Sequence, residues 1–210
     1  AGLIGVVGSA AAQTPPSVVR PGAPGTPTRM LSAEALGAPA QALHTDADVR
    51  FMQNMIVHHR QALVMSALAP DRTGRADIRL MADRIERSQD AEIAFMKRWL
   101  KLRGEASPEP DADHAGHGGD LHHDRGDHRM AGMLTEEQLE ALAAADGPDF
   151  DRAFLEFMIY HHEGALDMVD ELFASPGAAR DSDVFDLASH VNADQRMEIG
   201  RMLAMLAASP

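Results

Sequence analysis

The sequence has 210 residues, of which 32 are Asp or Glu and 19 are Lys or Arg, and its formal net charge at pH 7 is -13. This acidic balance repels phosphate backbones and anionic membranes, so it argues against a nucleic-acid partner. The absence of cysteine excludes disulfides, thiolate metal sites and thiol catalysis, whereas 13 Met and 11 His stand beside one Trp and one Tyr. The length suits one well-cored domain with tails.

Residues 1–45 are predicted to be a signal-peptide remnant followed by a flexible lead-in. Apolar first residues followed by Ala10, Ala11 and Ala12 are typical of a signal-peptide cleavage region, and the alternative is a short disordered tail. Pro, Gly, Ser, Thr and Ala dominate residues 13–27. We therefore expect an extracytoplasmic protein that is periplasmic, in the cell envelope or secreted. No later apolar run is long enough to insert the mature chain into a membrane.

Two long helices are predicted in the first half of the chain. Apolar or semi-apolar residues recur at helical spacing from Asp46 to Ala69, and Pro70-Asp71 with Gly74 predicts the end of this helix. A second apolar face runs from Arg75 to Leu102 and ends at Gly104. The two helices predict an antiparallel hairpin, residues 46–102.

The second half repeats this organisation after a polar break. Residues 105–129 are rich in Asp, Gly, His and Pro and predict a linker. Thr135 and Gln138 form a capping-box pattern that opens a short helix, 135–145, which Gly147-Pro148 is expected to end. Helices at 150–174 and 183–207 then predict a second hairpin, residues 150–207. The expected fold is all-α, with a four-helix bundle over residues 46–207 built from two hairpins.

The two hairpins carry a common sequence pattern. The stretch FMQNMIVHHRQALVM, from Phe51, matches FLEFMIYHHEGALDM, from Phe154, at an offset of 103 residues. QDAEIAFM, from Gln89, matches QRMEIGRM, from Gln195, at an offset of 106 residues. This indicates an internal duplication of a helical hairpin, whose apolar faces are buried when the two copies pack together.

Each copy places an adjacent histidine pair inside an apolar helical stripe flanked by methionines. Adjacent helical residues diverge by about 100°, so either one ring faces the axis and the other a neighbouring helix, or both straddle the seam. Imidazole suits Cu, Zn, Fe and Ni, but thioether is a soft ligand that suits Cu(I), so a mixed site favours copper. The candidate metal ligands are Met55, His58, His59, Met65, Met158, His161, His162 and Met168.

The partner helices supply candidates for additional ligands or for holding the rings. A carboxylate or an amide that reaches a histidine N–H would fix its tautomer, and Glu92 is alternatively a ligand itself. These candidates are Gln89, Glu92, Met96, Gln195, Glu198 and Met202. The structural alternative is that the histidines are satisfied core residues and the methionines fill space, but buried rings without partners would cost about 1–3 kcal/mol each.

The linker adds further donors of lower specificity. Its five histidines form a tract that indicates either metal capture or a solvated linker. Met130 and Met133 follow it at a spacing that would close two thioethers over a soft ion at one end of the bundle. The five histidines are His114, His117, His122, His123 and His128.

The duplicated M-x-x-H-H-x-x-A-x-x-M helices, the Q-x-x-E-I-x-x-M helices and the M-x-G-M lead-in resemble the family known as domain of unknown function 305. The resemblance covers residues 46–206 and implies a ferritin-like, exported, copper-binding protein in which the eight His and Met candidates are ligands. The chain departs from its own repeat where Arg60-Gln61 matches Glu163-Gly164 and where Trp99 matches Met205. The two half-sites are therefore expected to differ in affinity or in occupancy.

The leading hypothesis is an exported copper-binding protein that sequesters Cu(I), or exchanges it with a donor or acceptor protein, without turnover. One alternative is a redox metalloenzyme acting on oxygen or peroxide, for which Tyr160 beside His161 is the supporting feature. Neither copy has the Glu-x-x-His pattern of di-iron bundles, which argues against iron and oxygen chemistry. The other alternative is a helical interaction module without metal. No pattern indicates a hydrolase, a nucleotide site or a DNA-binding groove.

Overall fold

The computed structural model describes residues 18–20, 29–31, 44–108 and 130–208, and the chain divides into two units, Ala1–Leu43 and His44–Pro210. In the first unit, strands β1 (Val18–Arg20) and β2 (Arg29–Leu31) pair antiparallel, with Val18 opposite Leu31. Three residues are too few for an alternating pattern to indicate a strand, which is why the sequence predicts a flexible lead-in here. The predicted cleavage region lies outside the described residues.

Within its described residues, the second unit is all-helical, which confirms the predicted class. Its helices are α1 (Asp46–Arg72), α2 (Ala76–Arg103), α3 (Glu136–Ala144), α4 (Gly147–Ala174) and α5 (Ser182–Ala207). Helix α1 packs along α2, α4 packs along α5, and α1 packs against α4. Since residues 73–75 alone join α1 to α2, this pair is an antiparallel hairpin. None of the described helices has an apolar stretch of the kind that crosses a bilayer.

Two predicted helix boundaries are wrong. Helix α1 continues past Pro70 to Arg72, because a proline in the last turn removes one hydrogen bond without stopping the chain. Gly147-Pro148 begins α4 instead of ending α3, because a first-turn proline lacks an N–H that would have no helical partner there. Gly104 ends α2 as predicted, at a φ of 74° that glycine adopts without strain.

Capping boxes mark where α1 and α3 begin. The Thr135–Gln138 capping box opens α3 as its sequence pattern predicts. Thr45 and Asp48 form another at α1, where the Thr45 N–H donates to Asp48 Oδ2 at 2.7 Å. Asp48 Oδ1 also accepts from the Ala179 N–H at 2.7 Å. This buried carboxylate therefore ties the start of α1 to the loop between α4 and α5.

The buried apolar side chains form two clusters, each containing four methionines. The first cluster includes Met52, Met55, Met96 and Met168, and the second includes Met65, Met81, Met158 and Met202. Along α1 and along α4, the histidine pair falls between residues of one cluster and residues of the other. The sequence pattern thus places the imidazoles at the junction of two methionine-rich cores.

Candidate metal centre

The four repeated histidines are completely buried, each with 0% exposure. They are His58 and His59 on α1, and His161 and His162 on α4. Histidine is intermediate in burial among side-chain types, and its ring nitrogens need partners when water is excluded. Four fully buried rings therefore require an account of every ring nitrogen.

His58 and His161 meet where α1 crosses α4. Their ring centroids are 3.8 Å apart, with an interplanar angle of 34°. The His161 Nε2–H donates to the backbone carbonyl of His58 at 2.9 Å, and the His58 Nε2–H donates to the carbonyl of Ala131 at 3.1 Å. Both contacts lie inside the helical unit, so this ring pair joins the two hairpins directly.

His59 and His162 point instead toward the second helix of their own hairpin, which is α2 for His59 and α5 for His162. His59 Nε2 donates to Glu92 Oε2 at 2.6 Å, and His162 Nε2 donates to Glu198 Oε2 at 2.9 Å. The sequence predicts either a carboxylate or an amide as the partner of the ring N–H, and in the structure the carboxylate makes the contact. Within the described residues, neither amide atom of Gln89 has a hydrogen-bond partner, nor has Oε1 of Gln195. In each pair, therefore, one ring faces the other hairpin and its neighbour faces an adjacent helix.

The second nitrogen of every ring, Nδ1, is buried and has no hydrogen-bond partner among the described residues. Because all four Nε2 atoms bond to carbonyl or carboxylate oxygens, each Nε2 carries the proton, and Nδ1 of a neutral ring presents a lone pair. Four buried lone pairs without a donor are costly for packing alone. This arrangement is also the protonation state in which imidazole binds a metal.

Burial keeps three of these rings neutral. Burial, reinforced by the neighbouring His59, lowers the pKa of His58 to about 3. Burial and the facing His58 lower the pKa of His161 well below its ordinary value. Burial also lowers the pKa of His162, although its contact with Glu198 opposes the shift. At neutral pH these rings are uncharged and their Nδ1 atoms are acceptors.

Histidine and carboxylate groups alone do not make a metal site here. Within the described residues, no group of three or more His, Cys, Asp or Glu side chains could hold an ion together. Any site in the interior would therefore include other donors. The interior offers the buried thioethers of the two clusters, of which six belong to predicted residues: Met55, Met65, Met96, Met158, Met168 and Met202.

A short segment, residues 130–134, crosses the junction of α1 and α4 beside the rings. Its Ala131 carbonyl accepts the His58 proton, and its Gly132 has a φ of 75°. Met130 and Met133, predicted as thioether donors, are partly buried, and the Met133 N–H donates to the Met130 carbonyl at 3.2 Å. The backbone of this segment, rather than its thioethers, makes the described contact with a histidine.

The break in repeat symmetry explains how this segment is held. A Cβ added at Gly164 would lie 2.2 Å from the Ala131 carbonyl oxygen and 2.4 Å from Gly132 Cα, so only glycine fits. At the equivalent position of α1, the Gln61 amide donates to the Leu134 carbonyl at 3.1 Å and accepts the Leu134 N–H at 2.7 Å. The Gln61–Gly164 mismatch is visible in the sequence repeat, and the M-x-G-M pattern was the available signal for the crossing.

Of two other predicted features, one lies outside the described residues and the other is exposed. The five linker histidines lie in residues 109–129, outside the described residues. Tyr160 is 49% exposed, so it does not line the buried interior where a redox partner would sit. The alternative of oxygen chemistry thus loses the feature offered for it.

Comparisons with known proteins agree with this architecture. The family model described as "Domain of unknown function (DUF305)" matches residues 48–206. The chain is similar to a DUF305 fragment from Deinococcus radiodurans, with a TM-score of 0.64 and 30% identity, over 78% of this chain and 97% of that one. It is also similar to a DUF305 protein from Streptomyces coelicolor, provisionally named as secreted, with a TM-score of 0.64 and 26% identity, over 80% and 94%.

A third similar structure is CopM in its Cu(I)-bound form, with a TM-score of 0.55 and 26% identity, over 75% of this chain and 94% of that one. CopM has also been solved with Cu(II), with silver and without metal. A comparison with curated proteins finds no match.

Proposed function

We propose that the chain, which belongs to the DUF305 family, is an exported protein that binds copper(I) inside a ferritin-like four-helix bundle. It holds the ion or passes it to a protein partner, and it does not turn over a substrate. The observation that carries this proposal is the set of four buried Nδ1 atoms that have no hydrogen-bond partner among the described residues and lie at the junction of two methionine-rich clusters. Similarity at 26% identity to CopM, which has been solved with Cu(I) bound, supports it.

The donor chemistry favours copper(I) over zinc or iron. Zinc in proteins takes four ligands from Cys, His, Asp and Glu, and non-haem iron takes histidine and carboxylate ligands. No such group occurs in the part of the chain that the structure describes. Neutral imidazole and thioether together suit a soft ion. Both donor types are buried here, so the residues present fit copper(I) as cargo.

The proposed ligands come from α1 and α4, and the proposed supports come from α2 and α5. Glu92 and Glu198 hold His59 and His162 through Nε2, which leaves Nδ1 of each ring for the ion and fixes the ring orientation. Met96 and Met202 belong to the same clusters as the candidate thioethers and are additional candidates. The proposed ligands are Met55, His58, His59, Met65, Met158, His161, His162 and Met168.

The decisive experiment removes Nδ1 while keeping the Nε2 contact. In the double variant His59→Gln/His162→Gln, each amide nitrogen can still donate to Glu92 or Glu198, but the ring nitrogen that binds the ion is gone. Anaerobic competition with a chromophoric Cu(I) chelator measures the affinity. We expect a loss greater than the roughly 10–100-fold that removing an outer-shell partner costs.

The matched control is His44→Gln. His44 is a partly exposed histidine of the same unit that lies outside the repeated motif and packs edge-on to Trp99, with ring centroids 5.4 Å apart. Its variant should bind Cu(I) as the wild type does. Circular dichroism establishes that all three proteins are folded. Equal Cu(I) affinity in the wild type and the folded double variant, or no uptake by the wild type, would overturn the proposed function.

A further inference from the structure

Two grooves of equal size lie between α2 and α5, at positions related by the sequence repeat. The first, of about 300 Å³, is lined by residues that include Glu92, Phe95, Asp183, Asp186, Leu187 and His190. The second, of about 290 Å³, is lined by Asp77, Leu80, Met81, Arg84, Arg201 and Met205. Asp183, Asp186, Leu187 and His190 each follow their counterpart in the second groove by 106 residues, as Arg201 follows Phe95.

The first groove is acidic and the second groove is basic. The wall of the first contains three carboxylates, from Glu92, Asp183 and Asp186, and no Lys or Arg. The wall of the second contains one carboxylate and two guanidinium groups, because Arg84 replaces His190 and Arg201 replaces Phe95. Carboxylate-lined clefts concentrate cations and speed their arrival, and guanidinium groups repel them.

Glu92 connects the first groove to a buried imidazole. Its carboxylate lines the groove and also contacts His59, whose Nδ1 is buried without a partner among the described side chains. The carboxylate of Glu92 is 15% exposed, whereas that of its counterpart Glu198 is 2% exposed. Arg84 pairs with Glu198 at 3.4 Å, so the equivalent passage ends at an ion pair.

Two further cations, Arg98 and Arg103, lie near the first groove without lining it. The Arg98 guanidinium packs on the Phe95 ring, 5.4 Å from its centroid. Asp183 is 3.8 Å from Arg103. Asp186, Glu92 and His190 have no arginine or lysine ion pair among those that the described structure contains. Of the three carboxylates in this groove, those of Glu92 and Asp186 therefore keep their charge available to a cation, and that of Asp183 is shared with Arg103.

We infer that the first groove is the route by which a soft cation reaches the buried histidines, and that Arg84 and Arg201 close the equivalent groove. This inference rests on the proposed function. The cation is drawn to Asp183 and Asp186, passes Glu92, and reaches Nδ1, the unprotonated nitrogen of the imidazole whose Nε2–H donates to Glu92. Uptake is thus asymmetric, although the two histidine pairs are matched in sequence.

The test introduces residues of the second groove at the equivalent positions of the first groove. His190→Arg introduces the side chain of Arg84 at an exposed position, and Asp186→Leu introduces that of Leu80 and removes one carboxylate. The wild type and the double variant are mixed rapidly with Ag⁺ and quenched with excess chelator at millisecond delays. Metal retained by the protein is counted by mass spectrometry. We expect the association rate constant to fall on the order of ten-fold.

A route differs from a binding site in its effect on equilibrium. A closed route slows association and dissociation together, so the equilibrium affinity and the bound stoichiometry of the variant should stay within two-fold of the wild type. His190→Gln, which adds no charge, is the matched control and should leave the rate unchanged. Asp183→Asn/Asp186→Asn should slow uptake as well, and Arg84→His, which opens the second groove, should speed it.

Three outcomes would contradict the inferred route. Unchanged association rates in the folded His190→Arg/Asp186→Leu variant, with normal stoichiometry, would overturn the route and leave the proposed function intact. A loss of equilibrium affinity without a change in rate would also overturn it, because the groove would then be a binding site. Absence of any Ag⁺ or Cu(I) uptake by the wild type would overturn both proposals together.

Discussion

Gly164→Ala provides the sharpest test of how residues 130–134 are held over the histidines. An added Cβ would lie 2.2 Å from the Ala131 carbonyl oxygen, whereas ordinary contacts begin at 3.4 Å, so the segment must retreat by about 1.2 Å. That displacement would break the 3.1 Å hydrogen bond from His58 Nε2 to Ala131. The substitution therefore reaches the buried imidazoles through the backbone.

Three contributions set the expected change in the free energy of unfolding, two of them destabilising and one stabilising. Leaving the buried His58 N–H unsatisfied costs about 1–3 kcal/mol, and the overlap itself costs about 1–3 kcal/mol. Alanine is favoured over glycine in a helix by about 1 kcal/mol. The free energy of unfolding should therefore fall by about 3 kcal/mol, although the substitution improves intrinsic helix propensity.

The assay is urea unfolding followed by circular dichroism, with Gly200→Ala as the control. Gly200 is an exposed glycine of α5 whose added Cβ would meet no atom within 4 Å, so alanine there should stabilise the protein by about 0.5–1 kcal/mol. Hydrogen exchange gives a second measurement, because the Leu134 N–H donates to Gln61 at 2.7 Å and should lose protection in Gly164→Ala alone. A Gly164→Ala protein as stable as the wild type would refute the reasoning.

Three further predictions concern charge, sulfur and ring support. Although burial raises the pKa of Asp181, the Arg103 guanidinium more than offsets this and leaves it below its ordinary value. Asp181→Asn should therefore cost about 1–3 kcal/mol of unfolding free energy at pH 7, with the difference from wild type shrinking below about pH 4 in urea titrations. Met55→Leu should weaken Cu(I) binding in chelator competition while changing stability by less than about 1.5 kcal/mol. Substitution of the exposed Met197 by Leu should leave both Cu(I) binding and stability unchanged. Glu198→Gln should lower Cu(I) affinity by about 10–100-fold at unchanged stoichiometry, and an unaltered affinity would exclude a role in holding His162.

The helices were predictable because their signals are local. Apolar periodicity, the Thr135–Gln138 capping box and Gly104 each act within a few residues, and the structure contains the helices they predict. The burial of the histidine pairs followed from the apolar stripes around them. The predictions at Pro70 and Pro148 failed because the effect of a proline depends on its position in the helix. In the last turn it removes one hydrogen bond and the helix continues, whereas in the first turn its missing N–H would have had no helical partner.

The direction of each ring was not predictable, because it depends on the offset between packed helices. Gln89 and Glu92 share a face of α2 one turn apart, and sequence spacing does not decide which of them lies level with His59. The structure brings Glu92 into contact and leaves Gln89 without a partner among the described atoms. Likewise, the close approach of Gly132 to Gly164 joins residues 32 positions apart, and the M-x-G-M pattern does not indicate which residue of α4 the segment meets.

The repeat and its exceptions divide the chemistry of the site into two parts. The contacts that prepare Nδ1 are repeated, since His59 and His162 bond to equivalent carboxylates at 2.6 and 2.9 Å. The surroundings are not repeated: Gly164 and Gln61 admit residues 130–134 on one side, and Arg84 closes a groove that His190 leaves open. Under the proposed function and the inferred route, the two carboxylate-held rings should bind the ion with similar strength but fill at different rates. Metal uptake at low Cu(I) would then show two kinetic phases, and the ring that fills in the fast phase should change from His59 to His162 when Arg84 and His190 are swapped.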